Sequence, residues 1–337
     1  MAICRVAFSH GCEKANVPEA LCPAGLHAGA RRAATLRQRN RGVVQHWFTY
    51  PNIDPVAFRI GPLAVHWYGL SYLAGFVAVF IWMARPAHRR RLGLTVEQVQ
   101  DFLVYCLVGV LVGGRLFFVL ADIVTKHDAP YYFGDLPKSL WNLIAIWNGG
   151  MGFFGGLIGV IVAMALFVRR QRLRAEHAGR TGPALTFAVL ADEVVMMLPI
   201  GLALTRVVNF INDELVGNIC NPDQPWCIKF PSADGFRYPS QIFEAILDIL
   251  VLPILLVLYR RRPPDGVVAW TWFTLYGVTR SLAEIWRQTD LAVGPFTGGQ
   301  LFSLAMIAIG IVMMVRCVRA GRRTEEIPEA VPPATAP

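Results

Sequence analysis

Long apolar runs alternate along the chain with short polar punctuation. Seven runs, near residues 62–84, 100–122, 147–168, 185–211, 241–259, 267–286 and 298–316, read as helices of membrane-crossing length, for which roughly 20 residues suffice. A helix that covers a soluble core keeps a polar stripe. "GLIGVIVAMALFV" (156–168) has none, so period and length predict an all-α, polytopic bundle of seven transmembrane helices rather than one soluble core.

The polar punctuation orients that bundle. "RPAHRRR" follows the first run, "RRQRLR" the third, "YRRRPPDG" the fifth and "RCVRAGRR" the seventh. The loops between, "DIVTKHDAPYYFGDLPKS", "NDELVGNICNPDQPWCIKFPSADGF" and "RQTDLAVGPFTGG", are mixed or acidic. Arginine-rich loops stay cytoplasmic, which predicts an outside N-terminus and a cytoplasmic C-terminus. Residues 1–45 fit this poorly: Arg31, Arg32, Arg37, Arg39 and Arg41 resist export and no apolar signal-peptide core is present. Cys4, Cys12 and Cys22 there lack metal-ligand spacing. The expected organisation is a disordered or mis-assigned extension over 1–45, with mature sequence from near Val43 or Val44, a membrane domain over 46–318 and a disordered tail over 319–337.

Composition agrees with the pattern. The 337 residues are 55% hydrophobic and 16% charged, with a mean hydropathy of +0.45, too apolar for an ordinary soluble domain. The net charge of +9 lies in the clusters between runs, so it signals topology and no nucleic-acid partner.

Depth then selects candidate chemistry. Given the orientation, Arg206 and Asn209 (fourth run), Arg280 and Glu284 (sixth), Arg115 (second), Tyr68 (first) and Glu244 (fifth) all fall in the outer half of the bilayer. Each ionisable residue at such depth costs on the order of 2.5–3.5 kcal/mol even on lenient scales, and several at one level predict a cavity at the height of an outer-leaflet head group. Tyr276, Arg280 and Glu284 are spaced by four and share a helix face, with Arg287 three further on; Arg206 and Asn209 share another. Two arginines from two helices can clamp a phosphodiester through paired hydrogen bonds. The plainer alternative is interior ion pairing of Arg280 with Glu284 and of Arg206 with Glu214. The glycines of "WNGGMGFFGGLIG", Gly155 and Gly156 among them, allow either close helix approach or a backbone N–H cradle for an anion.

"HWYGLSYLAGF", "GGRLFFVL", "WNGGMGFFGG", "RVVNFINDELVG", "RYPSQIFE" and "YGVTRSLAEIWRQTD" occur in that order between Val65 and Met314. In these motifs the chain resembles the prolipoprotein diacylglyceryl transferases of bacterial inner membranes. The resemblance implies that the sn-1,2-diacylglyceryl group of phosphatidylglycerol passes to the lipobox cysteine thiol of a prolipoprotein signal peptide. A thioether forms and glycerol phosphate leaves, with no cofactor and no metal, on a monomer in the inner membrane. It implies that Arg206 contacts phosphatidylglycerol, that Asn209, Asn212, Glu214 and Gly217 complete that signature, and that Arg280 is a second essential arginine, preceded by Tyr276. Tyr68 matches a tyrosine of the first span. Catalytic roles are thus expected for Arg280, Tyr276, Glu284 and Tyr68, and lipid binding for Arg206, Asn209, Asn212, Glu214, Gly217, Arg115, Gly155 and Gly156.

The chain departs from the family pattern in places. Thr205 and Val208 stand where glycines flank the signature arginine, Tyr238 stands for a histidine, and Phe154 stands for the histidine proposed to deprotonate the thiol. Phenylalanine accepts no proton. Either the thiol, with a pKa of about 8.5 before neighbouring arginines lower it, loses its proton through Tyr276 or Glu284, or the chain is a diverged phospholipid-binding paralogue with weak or altered transfer. A different class, a lipid or solute transporter, predicts internal repeats and a polar path to the inner face; Asp192 and Glu193 alone supply too little of one. A receptor reading would rest only on the count of seven. Cys220 and Cys227 lie in a loop on the oxidising side, where a disulfide and two free thiols are both open; Cys106 and Cys317 read as small membrane-facing residues.

Overall fold

The computed structural model describes residues 49–61, 63–126, 129–133, 138–144, 150–179, 185–288, 292–293 and 296–325. The expectations for residues 1–45 and for the tail past Glu325 lie outside the described residues. A hairpin of β1 (Val56–Ile60) and β2 (Leu63–His66) leads into helix α1 (Trp67–Met83). There follow α2 (Pro86–Leu92), α3 (Val96–Lys126), the short α4 (Ala129–Phe133) and α5 (Lys138–Ile144), α6 (Phe153–His177), α7 (Phe187–Val195) and α8 (Leu198–Ile211). A ribbon of β3 (Ile228–Lys229) and β4 (Phe236–Arg237) precedes α9 (Ser240–Arg260) and α10 (Val267–Ala283). A last ribbon, β5 (Ala292–Val293) with β6 (Phe296–Thr297), precedes α11 (Gly298–Glu325), which continues past the boundary expected at 318.

Each of the seven apolar runs holds helix. Four helical segments, Val96–Thr125, Phe154–His177, Ser240–Arg260 and Gly298–Gly321, are long and apolar enough to cross a bilayer alone. The pairs α1–α2 and α7–α8 qualify only if each bent pair, at 80° and 46°, is one span. α10, with 17 residues, falls short on length. The chain is therefore a multi-pass membrane protein whose count by length and composition is four to six, where the hydropathy pattern gives seven. Pro86 and Pro199 stand in the first turns of α2 and α8, where a missing N–H is harmless; before Pro86 the residue Arg85 is extended, at φ −61° and ψ 141°, which ends the preceding helix. The hairpins place short strands in a fold expected to be all-α: β3–β4 and β5–β6 lie in connections, while β1–β2 precedes α1 and takes up the start of the first apolar run.

Lipid offers no hydrophobic drive for helices to associate, so contact must come from close packing. α3 and α6 achieve it through glycines. A Cβ on Gly109 would lie 2.5 Å from Gly159 O, and one on Gly113, Gly155 or Gly159 would strike the backbone of the facing helix. Gly75 of α1 approaches Gly201 of α8, and Gly277 and Gly310 seat α10 against α11. Met83, Phe102, Phe167, Leu190, Met196 and Leu255 form the buried centre. Leu107, Val112, Ile158, Ile161, Ile309 and Val312 face outward, as lipid-facing positions should.

At the arginine-rich end of α2, two fully buried acids tie the bundle together. Glu193 accepts from Trp82 Nε1 (2.9 Å), Arg91 Nη1 (3.3 Å) and the Tyr259 hydroxyl, and lies 2.9 Å from His88 Nδ1. Asp192 accepts from the amides of Gly266 and Ala269, both at 2.8 Å. These acids are saturated by protein partners, as interior carboxylates must be.

In the loop after α8, Asn221 accepts from the amides of Gln224 (2.9 Å, at its backbone carbonyl) and Asp223 (3.0 Å, at its side chain). Cys220 and Cys227 are both disulfide-bonded, while Cys106 and Cys317 are free.

Candidate functional site

At the end of the bundle opposite Glu193, α8 delivers Arg206 and Asn209 one turn apart and then stops at Asn212. Asp213 and Leu215 both adopt left-handed backbone, at φ 56° and 55°, an uncommon conformation for residues with a Cβ. Their turn is held by surrounding bonds: Glu214 N to Asn209 O (2.9 Å), Gln241 Nε2 to Glu214 O (2.5 Å) and Ser240 Oγ to Leu215 O (3.0 Å). Tyr50 donates to the carbonyl of Ile211 (2.8 Å), and burial, reinforced by Asp213, holds its phenol above the ordinary range so that the donor proton stays. The turn swings Glu214 back toward α1. There Tyr68 donates to Glu214 Oε2 (2.5 Å), and Asn209 Nδ2 donates to both the Tyr68 hydroxyl and Glu214 Oε2 (3.3 Å).

A second cluster adjoins the first through Arg206. Its Nε lies 2.6 Å from Glu244 Oε2 of α9. The other oxygen of Glu244 faces Arg287 Nη1 at 3.2 Å and Arg280 Nη1 at 3.5 Å. Arg280 also pairs with Glu284 Oε2 at 2.9 Å, and Thr297 Oγ1 donates to Glu284 Oε1 (3.1 Å). Three guanidiniums thus converge on one buried carboxylate. Tyr276, stacked on Trp272 with ring centroids 5.5 Å apart, lines a cavity of about 10 Å³ with Arg206, Glu244, Asp248, Thr279 and Arg280. Room for about one water is all such a space provides, so a phosphate enters that space only if a side chain moves.

Of the residues predicted from sequence, Tyr68, Arg206, Asn209, Glu214, Tyr276, Arg280 and Glu284 come together here. The expected Arg280–Glu284 pair is present; Arg206 pairs with Glu244 instead of Glu214, because the left-handed turn commits Glu214 to Tyr68. Gly217 serves the scaffold: it bridges to Arg287, and a Cβ there would lie 2.5 Å from both Trp286 O and Tyr238 O. Asn212 caps α8, and its Oδ1 is buried without a hydrogen-bond partner.

Three predictions fare differently. Arg115 is buried, and its nitrogens donate to the carbonyls of Leu143 (2.9 Å), Gly150 (3.0 Å) and Asn142 (2.5 Å), bracing connections rather than joining the arginine cluster. Gly155 packs against Gly113 and Phe117, and the Gly156 amide donates within its own helix start to Gly152 O (3.0 Å), so close helix approach is the reading the structure favours. Phe154, in place of the family histidine, lies between the rings of Phe117 and Phe302, at 6.2 and 6.1 Å.

Glu244, noted for its depth alone, is the hub of the cluster, and Asp248 was not singled out at all. Both were visible as acids four residues apart in an otherwise apolar helix, a spacing that puts them on one face.

Comparison with known proteins follows the same residues. A family model described as prolipoprotein diacylglyceryl transferase matches residues 55–316. The phosphatidylglycerol–prolipoprotein diacylglyceryl transferase of Geobacter sulfurreducens is 42% identical over 272 residues, covering 79% of this chain and 96% of that protein. The proteins of the same name from Vibrio atlanticus (38% over 292 residues, 85% and 98% covered) and Glaesserella parasuis (41% over 278 residues, 80% and 95% covered) are similar to it as well. The match spans every helix that carries the two polar clusters, and the chain belongs to the prolipoprotein diacylglyceryl transferase family.

Proposed function

We propose that this chain transfers the diacylglyceryl group of phosphatidylglycerol to the lipobox cysteine of a prolipoprotein signal peptide. Its seven helical runs then span the bacterial inner membrane, N-terminus outside and C-terminus cytoplasmic, in a monomer. The arginine clusters after α1, α6, α9 and along the end of α11 support that orientation, since each follows an odd-numbered run. It puts the cavity of Arg206, Arg280 and Tyr276 toward the outer leaflet, where phosphatidylglycerol meets an exported peptide.

The observation that carries the reading is the convergence of Arg206, Arg280 and Arg287 on Glu244. A phosphodiester is a carboxylate-like anion that the same donors can take over. As sulfur attacks the glyceryl carbon and the C–O bond breaks, charge grows on the departing phosphate. Guanidiniums already in position stabilise that charge more than the ground state. Tyr68, Asn209 and Glu214 form the neighbouring polar wall and orient the glycerol end of the lipid. No step requires a cofactor.

The test is thioether formation by purified protein supplied with phosphatidylglycerol and a lipobox peptide. Wild type is expected to form product and Arg280→Ala to form none. Product from Phe154→His but not from wild type would favour the diverged paralogue, and lipid binding without product from any variant would remove the catalytic reading.

A further inference from the structure

Phe154 stands where the family resemblance implies a histidine proposed to take the thiol proton, and the structure contains a group suited to that task. Asp248 is 6% exposed and one turn along α9 from Glu244. It lines the cavity with Arg206 from α8 and with Tyr276, Thr279 and Arg280 from α10. Among the described residues its carboxylate has no hydrogen bond and no ion pair, whereas Glu244 is engaged by three arginines and Glu284 by Arg280 and Thr297. A carboxylate this buried with no hydrogen-bond donor at contact distance is expensive and calls for a reason.

Availability as a base supplies one. Arg206, Arg280 and Arg287 carry three positive charges, and Glu244, Glu284 and Asp248 carry three negative ones when ionised, so the ionised cluster is neutral. Moving a proton from the thiol to one of these carboxylates leaves the total unchanged, and what selects the acceptor is freedom from donors. Glu244 and Glu284 are held by arginines, and the carboxylate left to take the proton is the one that no donor holds. The groups facing Asp248 (Arg206, Glu244, Tyr276 and Arg280) include no other base free to accept a proton.

We propose that Asp248 accepts the thiol proton in this chain, a step that rests on the transferase reading. The S–H proton passes to the Asp248 carboxylate, and the sulfur lone pair forms the C–S bond at the sn-3 carbon of the lipid. The C–O bond to phosphate breaks with its electron pair on the departing oxygen. Asp248 then returns its proton to that phosphate, so glycerol phosphate leaves as a monoanion and the carboxylate is regenerated.

The experiment compares wild type, Asp248→Asn and Asp248→Glu across pH 6–9, using lipobox peptides that carry cysteine or selenocysteine. A selenol is already ionised at neutral pH and needs no acceptor. With the thiol peptide, Asp248→Asn is expected to lose about 10²–10⁴-fold in transfer at pH 7. The deficit should shrink as pH rises toward the thiol pKa of about 8.5. With the selenol peptide the variant is expected to match wild type, and Asp248→Glu to keep the wild-type pH profile with either. The added histidine of Asp248→Asn/Phe154→His is expected to recover thiol transfer. A loss equal for thiol and selenol and flat with pH would mean a structural role and overturn the proposal, as would an Asp248→Asn enzyme of undiminished activity. Wild type without product from either peptide would overturn the transferase reading itself.

Discussion

Arg206 and Glu244, from two different helices, meet at 2.6 Å in the most compact ion pair of the candidate site. The pair brings α8 and α9 together at the level where Tyr68, Asn209 and Glu214 meet on one side and Arg280 and Arg287 on the other. Two buried charges in contact gain little net stability over a well-packed apolar pair. Retaining them suggests use of the charges, and the use proposed here is exchange of one anion, Glu244, for another, the lipid phosphate.

Arg206→Lys tests whether geometry matters beyond charge. Lysine keeps the cation but lacks the planar fork that can hold Glu244 and a phosphate oxygen together. Transfer is expected to fall at least about tenfold, in line with loss of one charge-assisted hydrogen bond, with the protein still folded by its thermal midpoint in detergent. A lysine variant as active as wild type would mean that position alone suffices.

Tyr68→Phe removes one hydroxyl and leaves the ring. That hydroxyl donates to Glu214 and accepts from Asn209, so both polar partners lose a bond. A hydrogen bond to a charged group contributes about 1.5–3 kcal/mol, which predicts a fall in kcat/KM of roughly 10- to 150-fold from that free energy. Steady-state kinetics on lipid and peptide would show it; an unchanged kcat/KM would make the hydroxyl scaffolding only.

Gly113→Val and Gly69→Ala separate two kinds of glycine. A Cβ at Gly113 strikes Gly155 O on the facing helix, whereas one at Gly69 meets nothing within 4 Å. Gly113→Val should therefore destabilise by at least about 1–3 kcal/mol and lower the yield of folded protein from membranes. Gly69→Ala should leave the thermal midpoint where it was. Equal behaviour of the two would mean that α3 and α6 are not locked at that crossing.

Asp192→Ala strips the amides of Gly266 and Ala269 of their acceptor. Leaving buried donors unsatisfied costs about 1–3 kcal/mol each. The thermal midpoint should drop, while transfer per folded molecule stays at the wild-type level because the acid lies at the far end of the bundle. A loss of specific activity with stability unchanged would instead assign Asp192 to the reaction.

The helices were legible because a segment in lipid must satisfy its own backbone, and only a long apolar helix does so. The break within the fourth run, between Val195 and Leu198, was not read from the sequence. The reading by depth listed Tyr68, Arg206, Glu244, Arg280 and Glu284 together, and the structure brings them to one site, but depth says nothing about which way a helix face points. Arg115 was listed with them and is turned toward the carbonyls of Asn142, Leu143 and Gly150. The partner of Arg206 was missed for a different reason: Glu214 is nearer in sequence than Glu244, and nothing in "NDELVG" announces that Asp213 and Leu215 take left-handed backbone. Asp248 was readable from its spacing to Glu244. Its lack of a partner is a tertiary fact and was not.

The buried acids at the arginine-rich end also bear on how the chain is assembled. Trp82, His88 and Arg91 leave the ribosome before Glu193, but Tyr259, Gly266 and Ala269 leave after it. α7 therefore enters the membrane with one acid partly met and the other, Asp192, without either of its amide donors. That end of the bundle stays incomplete until α9 and α10 are synthesised. A chain truncated before residue 266 would hold Asp192 by Arg91 alone, at 3.5 Å, an under-satisfied buried carboxylate of the kind by which membrane quality control can tell an unfinished protein from a finished one.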